Sequence, residues 1–256
     1  MPKAIATKLP DPSEWVTEAL RLSAFHQLGP QKDDHDWWET IVGATPESKN
    51  LKPREGGYEV SGSHARGLLT LKADAVRFDW LYTANPPIDK PPAGVVNAGP
   101  LADALEVFLP LMRTWLANVP AVHRLAFGAV VRQHVENRIE GYKLLDAYLP
   151  YIELDIEHSS EFSYSINRHR TADAFEGLHI NRLSKWSVAH FQQLTLMLVG
   201  GKADSVPGQA FDALRLELDI NTDGERKEAL KQDQLPSLLD YLANLAKEIS
   251  EKGDIK

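Results

Sequence analysis

Both halves of the chain show the same order of predicted elements, and this repetition restricts the folds that the chain can adopt. Each half reads as a strand, a short helix, several antiparallel strands and one long amphipathic helix. The closing helices are predicted over Leu101–Val119 and Pro236–Glu251, where apolar residues recur every three or four positions. An apolar helix stripe can cover the apolar face of a sheet. We therefore predict an α+β fold of two tandem β-α-β-α units, with three or four strands in the middle of each unit and a long helix covering each antiparallel sheet.

The predicted boundaries follow from this repetition. Residues 1–12 are predicted to form an N-terminal tail, residues 13–120 the first lobe and residues 121–256 the second lobe. The two lobes are expected to pack as one globular unit. A single, larger helix-grip domain is the alternative arrangement.

Alternation of apolar and polar residues predicts the strands. In Ala75–Thr83 the positions of Val76, Phe78, Trp80 and Tyr82 are apolar, and in Ala213–Asn221 every second residue is leucine or isoleucine. Phe162–Arg168, Phe175–Leu183 and Trp186–Val199 are predicted to form an antiparallel meander. Two segments are predicted to be loops, the proline-rich residues 84–100 and the glycine-containing residues 200–208.

Composition excludes several classes of function. The chain has 256 residues, 43% of them hydrophobic, and a net charge of −8, which opposes general affinity for nucleic acid. It contains no cysteine, so disulfides, thiolate metal sites and cysteine nucleophiles are excluded. No apolar run approaches the ~20 residues that a membrane-spanning helix needs, and residues 1–11 lack the apolar centre of a signal peptide. We expect a cytoplasmic protein without membrane contact.

Two resemblances accompany these patterns. The element order resembles the tandem β-α-β4-α arrangement of the TATA-box-binding-protein-like fold, which implies a saddle-like sheet and, by analogy alone, an association with nucleic acid. The segments Gly67–Trp80 and Leu214–Ile220, the latter followed by a long helix, are similar to those of a sporadically distributed family of bacterial proteins. In that family an asparagine usually precedes the tryptophan, whereas this chain has Asp79. The resemblance implies a bacterial protein but no reaction.

Aromatic residues supply the candidate binding sites. Trp37 and Trp38 are adjacent on a predicted short helix, so both cannot face one core, and we predict that the pair contributes to an interface. The alternative is that both cover the edge of a sheet. Phe78, Trp80 and Tyr82 are the candidate lining of an apolar ligand pocket between a long helix and a curved sheet, unless they are simply core residues.

The polar candidates do not form a motif. His158, His169, His179 and His190 lie about one strand apart, and Glu217 and Asp219 share the polar side of one predicted strand. Neither set has a spacing that is typical of a metal or catalytic site. No catalytic residue, metal or cofactor is therefore predicted.

These patterns predict a non-enzymatic interaction or scaffold protein that docks a protein partner or forms a homo-oligomer. A small-molecule-binding domain or enzyme with a pocket between helix and sheet is one alternative. A nucleic-acid-associated protein is the other, and the acidic charge of the chain opposes it.

Overall fold

The computed structural model describes residues 9, 11–31, 37–54, 56–86, 95–175, 177–199, 202–226 and 228–255. The strands in this part of the chain are β1 (Val16–His26), β2 (Ser48–Lys52), β3 (Gly57–His64), β4 (Gly67–Ala73), β5 (Arg77–Ala84), β6 (Val122–Val135), β7 (Ser163–Ala172), β8 (Leu178–Val199) and β9 (Lys202–Thr222). The α-helices there are α1 (Trp37–Val42), α2 (Leu101–Leu116), α3 (Arg138–Tyr148) and α4 (Leu235–Lys252). All neighbouring strand pairs are antiparallel.

The strands form one sheet, so the predicted fold class of two tandem sheets, each covered by its own long helix, was wrong. The strand order is β2-β3-β4-β5-β1-β6-β9-β8-β7. The first strands of the two halves pair with each other, with Leu22 opposite Phe127. This pairing removes an exposed sheet edge from each half, and unpaired strand edges are a liability that folds avoid.

The helices all pack on one face of the sheet, which we call the covered face. Trp38 of α1 stacks on Trp80 of β5 at 6.1 Å between ring centroids, and Trp115 of α2 lies 6.0 Å from Trp80. Tyr148 of α3 lies 5.1 Å from Trp186 of β8. The helices α2 and α4 lie side by side, and Arg113 is paired with Asp240 at 2.8 Å. Since burial of apolar side chains drives folding, these contacts place the core between helices and sheet.

Trp15, which directly precedes β1, joins the two halves at the covered face. Its side chain is fully buried, and its Nε1–H donates to the carbonyl oxygen of Ser250 in α4 at 2.8 Å. Its ring lies 5.7 Å from Tyr148 and 6.3 Å from Trp186. A residue at the start of the first half therefore packs against three elements of the second half.

The end of α4 is held by a buried ion pair. Asp254 is 3% exposed, and its carboxylate accepts hydrogen bonds from Arg168 of β7 at 2.5 and 2.7 Å. The preceding Gly253 has φ 80° and ψ −157°, and Asp254 N–H donates to the carbonyl oxygen of Tyr148. The closing helix is thereby attached to both α3 and the sheet.

The sequence prediction differed from the structure at three further places. The strand β2 was not predicted, because its sequence Ser-Lys-Asn-Leu-Lys is polar and mostly exposed. The two predicted segments Phe175–Leu183 and Trp186–Val199 form the single strand β8 from residue 178 onward. The predicted loop 200–208 is mostly strand, since β9 begins at Lys202. Residues 87–94 of the predicted proline-rich loop, and most of the predicted tail 1–12, lie outside the described residues.

Candidate functional site

The sheet face opposite the helices is the first candidate site, and we call it the open face. One row of residues crosses it from β3 to β7 in register: Ser61, Thr70, Leu81, Arg21, Gly128, Asp219, Leu183 and Asn167. Most positions of this row are half-buried or exposed, whereas their neighbours on the covered face are mostly buried. In the described part of the chain no helix lies on this face. At about 4.8 Å per strand, the face is about 40 Å wide.

A depression of about 360 Å³ lies at the centre of the open face, above Gly128 of β6. A Cβ atom at Gly128 would lie 3.4 Å from the carbonyl oxygen of Leu218, an ordinary contact, and the backbone there does not require glycine. The same Cβ would lie 3.5 Å from Arg21 Nε and 3.6 Å from Arg21 Nη2, so the Arg21 guanidinium borders the space that the missing side chain leaves. The side chains around it are both apolar and charged: Ala19, Arg21, Leu81, Val130, Leu183, Lys185, Glu217 and Asp219.

Ion pairs hold the charged side chains of the depression. Arg21 pairs with Asp219 at 3.4 Å, and Lys185 pairs with Glu217 at 3.2 Å. Glu217 also accepts a hydrogen bond from Arg215. The depression is thus lined by two cations and two anions, and each of them has a partner within the sheet.

The network continues from the depression to a buried arginine. Arg215 donates to Glu18 at 3.0 Å, and Glu18 also accepts from Arg132 at 3.1 Å. The Arg132 side chain is only 5% exposed, and its Nη2 donates to the carbonyl oxygen of Val95 at 2.8 Å. A chain of charged hydrogen bonds anchored by a buried group is more rigid than isolated surface pairs.

A second polar cluster lies at the other end of the open face, next to β5. Asp79 is 7% exposed and accepts a hydrogen bond of 2.5 Å from the Ser23 hydroxyl. Arg77 pairs with the same carboxylate at 2.8 Å, and its guanidinium lies 5.7 Å from the Phe25 ring centroid. The guanidinium of Arg124 lies 5.1 Å from the same ring. Phe25 is therefore in contact with two cations.

Two titratable groups of the buried layer have altered pKa values. Burial lowers the pKa of the His26 imidazole, and its Nδ1 accepts a hydrogen bond from the Leu28 N–H at 3.2 Å. Burial also raises the pKa of the Tyr148 hydroxyl, which accepts a hydrogen bond from Gln133 at 3.3 Å. Neither group borders the open-face depression.

A groove of about 530 Å³ on the outer surface of α2 and α4 is a second candidate site. Leu105, Leu109 and Pro110 give it an apolar floor, and Arg113 and Glu251 lie on its rim. Its lining consists of helix side chains without the hydrogen-bonded network of the open face.

The aromatic candidates lie on the covered face. Trp38 is 3% exposed, and the half-buried Trp37 lies 6.4 Å from Trp115. Phe78, Trp80 and Tyr82 are at most 1% exposed and pack against α1 and α2. Neither of the two depressions described above is lined by them.

The polar candidates are dispersed, with one exception. His158 pairs with Asp155 at 3.1 Å and His190 with Asp212 at 2.8 Å, while His169 and His179 lie on β7 and β8. Glu217 and Asp219 both border the open-face depression. Among the described residues, no group of three or more histidines and carboxylates could hold a metal ion.

The sequence reasoning did not find Gly128, Arg21 or Leu183. A signal for Gly128 was present, because it is the glycine on the side of this strand opposite Leu125, Phe127, Ala129 and Val131. Arg21 and Leu183 carried none, since their meeting depends on the pairing of β1 with β6 and of β8 with β9.

Comparison with known proteins assigns no relative to this chain: no protein-family model and no curated protein matches it. Within the described residues, no helix is both long enough and apolar enough to cross a membrane.

Proposed function

We propose that this protein is a non-enzymatic interaction protein that docks a protein partner on the open face. The observation that carries the proposal is the set of paired charges around the depression at Gly128, whose centre is apolar. The network keeps the face in one conformation before a partner arrives, which lowers the entropic cost of binding.

The arrangement of side chains favours a protein over other ligands. Leu81, Val130 and Leu183 provide a small apolar centre, and paired charges surround it. Protein interfaces have this anatomy, with an apolar centre and a polar rim. Small-molecule sites instead enclose most of the ligand, whereas this depression lies on a broad, open sheet.

The charges at the depression oppose a nucleic acid as partner. Arg21 and Lys185 are both neutralised by the carboxylates of Asp219 and Glu217. A phosphate backbone would have to displace these carboxylates, and the chain as a whole carries a net charge of −8. The expected partner surface is instead a protuberance with one aromatic or long aliphatic side chain and charges of both signs around it.

Filling the depression tests this proposal. Gly128→Val places a branched side chain in the space above β6, where a Cβ has only ordinary contacts. We expect the variant to fold normally, because glycine inside a strand is intrinsically unfavourable and valine is favoured there. Affinity for the partner is expected to fall at least about tenfold, since the anchoring side chain of the partner can no longer enter.

Ser61→Val is the matched control. Ser61 lies on the same row of the open face but four strands away, which is about 19 Å from Gly128. A partner isolated from cells of the source organism would be purified, and its affinity for the three proteins measured by calorimetry. The expected order is equal binding by the wild type and Ser61→Val and weak binding by Gly128→Val. Equal binding by all three, or no stoichiometric partner at all, would refute docking at the depression.

A further inference from the structure

The strands β8 and β9 form an arm that extends beyond the rest of the sheet. They pair with each other as far as Val199 and Lys202, near the end of the hairpin. By contrast, β7 pairs with β8 only up to Ser187, and β6 pairs with β9 only from Asp212 onward. From Phe191 and Phe211 outward the arm is therefore a two-stranded ribbon, about 27 Å long at about 3.3 Å per residue.

The base of the arm is firmly built. The rings of Phe191 and Phe211 stack at 5.1 Å between centroids with an interplanar angle of 14°. His134 stacks on Phe211 at 5.5 Å, and the guanidinium of the buried Arg132 lies 5.4 Å from Phe191 and 5.7 Å from Phe211. The register shifts between Gln192 and Leu194, and such bulges bend a strand. The base of the ribbon is thus held to the sheet by stacked rings and by Arg132.

The β8 edge of the arm is uncharged, unlike the outer strands β2 and β7 of the sheet. The outer strands of the sheet carry charges, Lys49 and Lys52 on β2 and Arg168 and Arg170 on β7, and such charges discourage pairing with another strand. The β8 part of the arm, residues 191–199, contains no charged residue, and Leu194, Leu196 and Leu198 alternate in it. A two-stranded ribbon without further packing is only marginally stable in water. Additional strands along this edge would therefore stabilise the arm.

We propose that the arm pairs with the arm of a second copy of this chain, so that two ribbons form one four-stranded sheet about a two-fold axis. This inference goes beyond the docking of a partner on the open face and does not depend on it. Two identical edges that meet about a two-fold axis form each backbone hydrogen bond twice. Most homodimers have this two-fold symmetry, in which a surface contacts the same surface of the second copy.

The uncharged β8 edge of the arm suits a second copy as the occupant, because two such edges meet without charge repulsion. The whole chain carries a net charge of −8, so two copies repel each other over most of their surfaces. Residues 191–211 contain one lysine and one aspartate, Lys202 and Asp204, and are neutral as a unit. The length of the arm holds the two acidic bodies apart by more than the Debye length, which is about 8 Å at physiological ionic strength. An acidic chain can therefore associate with itself through this neutral arm.

Two arm variants test the dimer by sedimentation equilibrium of the full chain across the micromolar range. In the first, residues 193–209 are replaced by Asn-Gly, which joins Gln192 to Ala210 through a tight hairpin turn. The second combines Leu194→Lys, Leu196→Lys and Leu198→Lys, which keeps the arm but adds charge to its edge. The matched control adds three lysines to exposed positions of β7, as Ser163→Lys, His169→Lys and Thr171→Lys.

The wild type and the β7 control are expected to sediment as dimers, and both arm variants as monomers of 28.6 kDa. A wild-type monomer throughout the concentration range, or a shortened-arm variant that dimerises as tightly as the wild type, would overturn the proposal. Gly128→Val should remain a dimer, because it changes only the open face. Failure of arm pairing and failure of partner docking are therefore separate results.

Discussion

Replacing Trp15 by alanine is expected to lower the free energy of unfolding by about 3–5 kcal/mol, the range for removal of a fully buried tryptophan. The substitution leaves a cavity between Tyr148, Trp186 and α4. It also leaves the Ser250 carbonyl oxygen without the indole donor. Because these contacts join the first half to the second, the loss should destabilise both halves together.

Urea denaturation followed by circular dichroism measures this effect, and hydrogen exchange shows where it is felt. We expect one cooperative transition at lower urea and faster exchange in both β1 and α4. Trp37→Ala is the matched control, since the half-buried Trp37 loses less contact and should cost about 1–2 kcal/mol. If the Trp15 variant exchanged faster only near β1, the two halves would be independent, and a single cooperative sheet would be the wrong description.

Gly253→Ala is expected to destabilise the protein by about 3–5 kcal/mol, because a steric and a backbone effect act together. At φ 80° and ψ −157° the backbone is in a region that is essentially restricted to glycine. A Cβ there would lie 2.2 Å from the carbonyl oxygen of Tyr148. Relief of that clash must move Asp254, whose carboxylate is the buried partner of Arg168.

Gly43→Ala separates these two causes. Gly43 also has a positive φ of 73°, but a Cβ at that position would have nothing within 4 Å. Its substitution should therefore cost only the backbone penalty, about 1–2 kcal/mol. Thermal or urea denaturation of both variants gives the comparison. Equal losses of stability at the two positions would contradict the tight contact between the end of α4 and α3.

Local sequence patterns predicted the elements of this protein better than their assembly. The stripe of apolar residues predicted the helix Leu101–Val119, which is observed over Leu101–Leu116. The alternation around Phe78 and Trp80 predicted the strand that is observed as β5. These signals are local, because helix and strand periods are properties of neighbouring residues.

The joining of the halves was not predictable from the same signals. The strand β1 pairs with β5 on one side and with β6 on the other, and nothing in its alternation distinguishes the two neighbours. The long β8–β9 hairpin was missed for a related reason, since Gly200, Gly201, Pro207 and Gly208 are typical loop residues. The extent of strand pairing depends on partners that are distant in the sequence.

The candidate site was likewise predictable where the signal is local and not where it depends on strand pairing. The carboxylates Glu217 and Asp219 were recognised on one strand face, because their spacing of two is visible in the sequence. Their cationic partners Lys185 and Arg21 come from β8 and β1, and only the register of the sheet brings them together. The adjacent pair Trp37 and Trp38 was predicted to contribute to an interface. In the structure Trp38 stacks on Trp80 in the core.

One continuous sheet has a covered face and an open face, and the open face extends over both halves. The chain contains no natural cysteine, so a single introduced cysteine reports the accessibility of one position. Thr70→Cys and Leu183→Cys place a thiol on the open face of each half, and Ala73→Cys and Ser184→Cys place one on the covered face. The measurement is the rate of reaction of each native variant with a soluble thiol reagent. We expect both open-face cysteines to react at least about tenfold faster than both covered-face cysteines, because the covered-face thiols become accessible only when the structure opens locally. Slow reaction at Thr70→Cys or Leu183→Cys, or fast reaction at Ala73→Cys or Ser184→Cys, would contradict a single sheet with one open face.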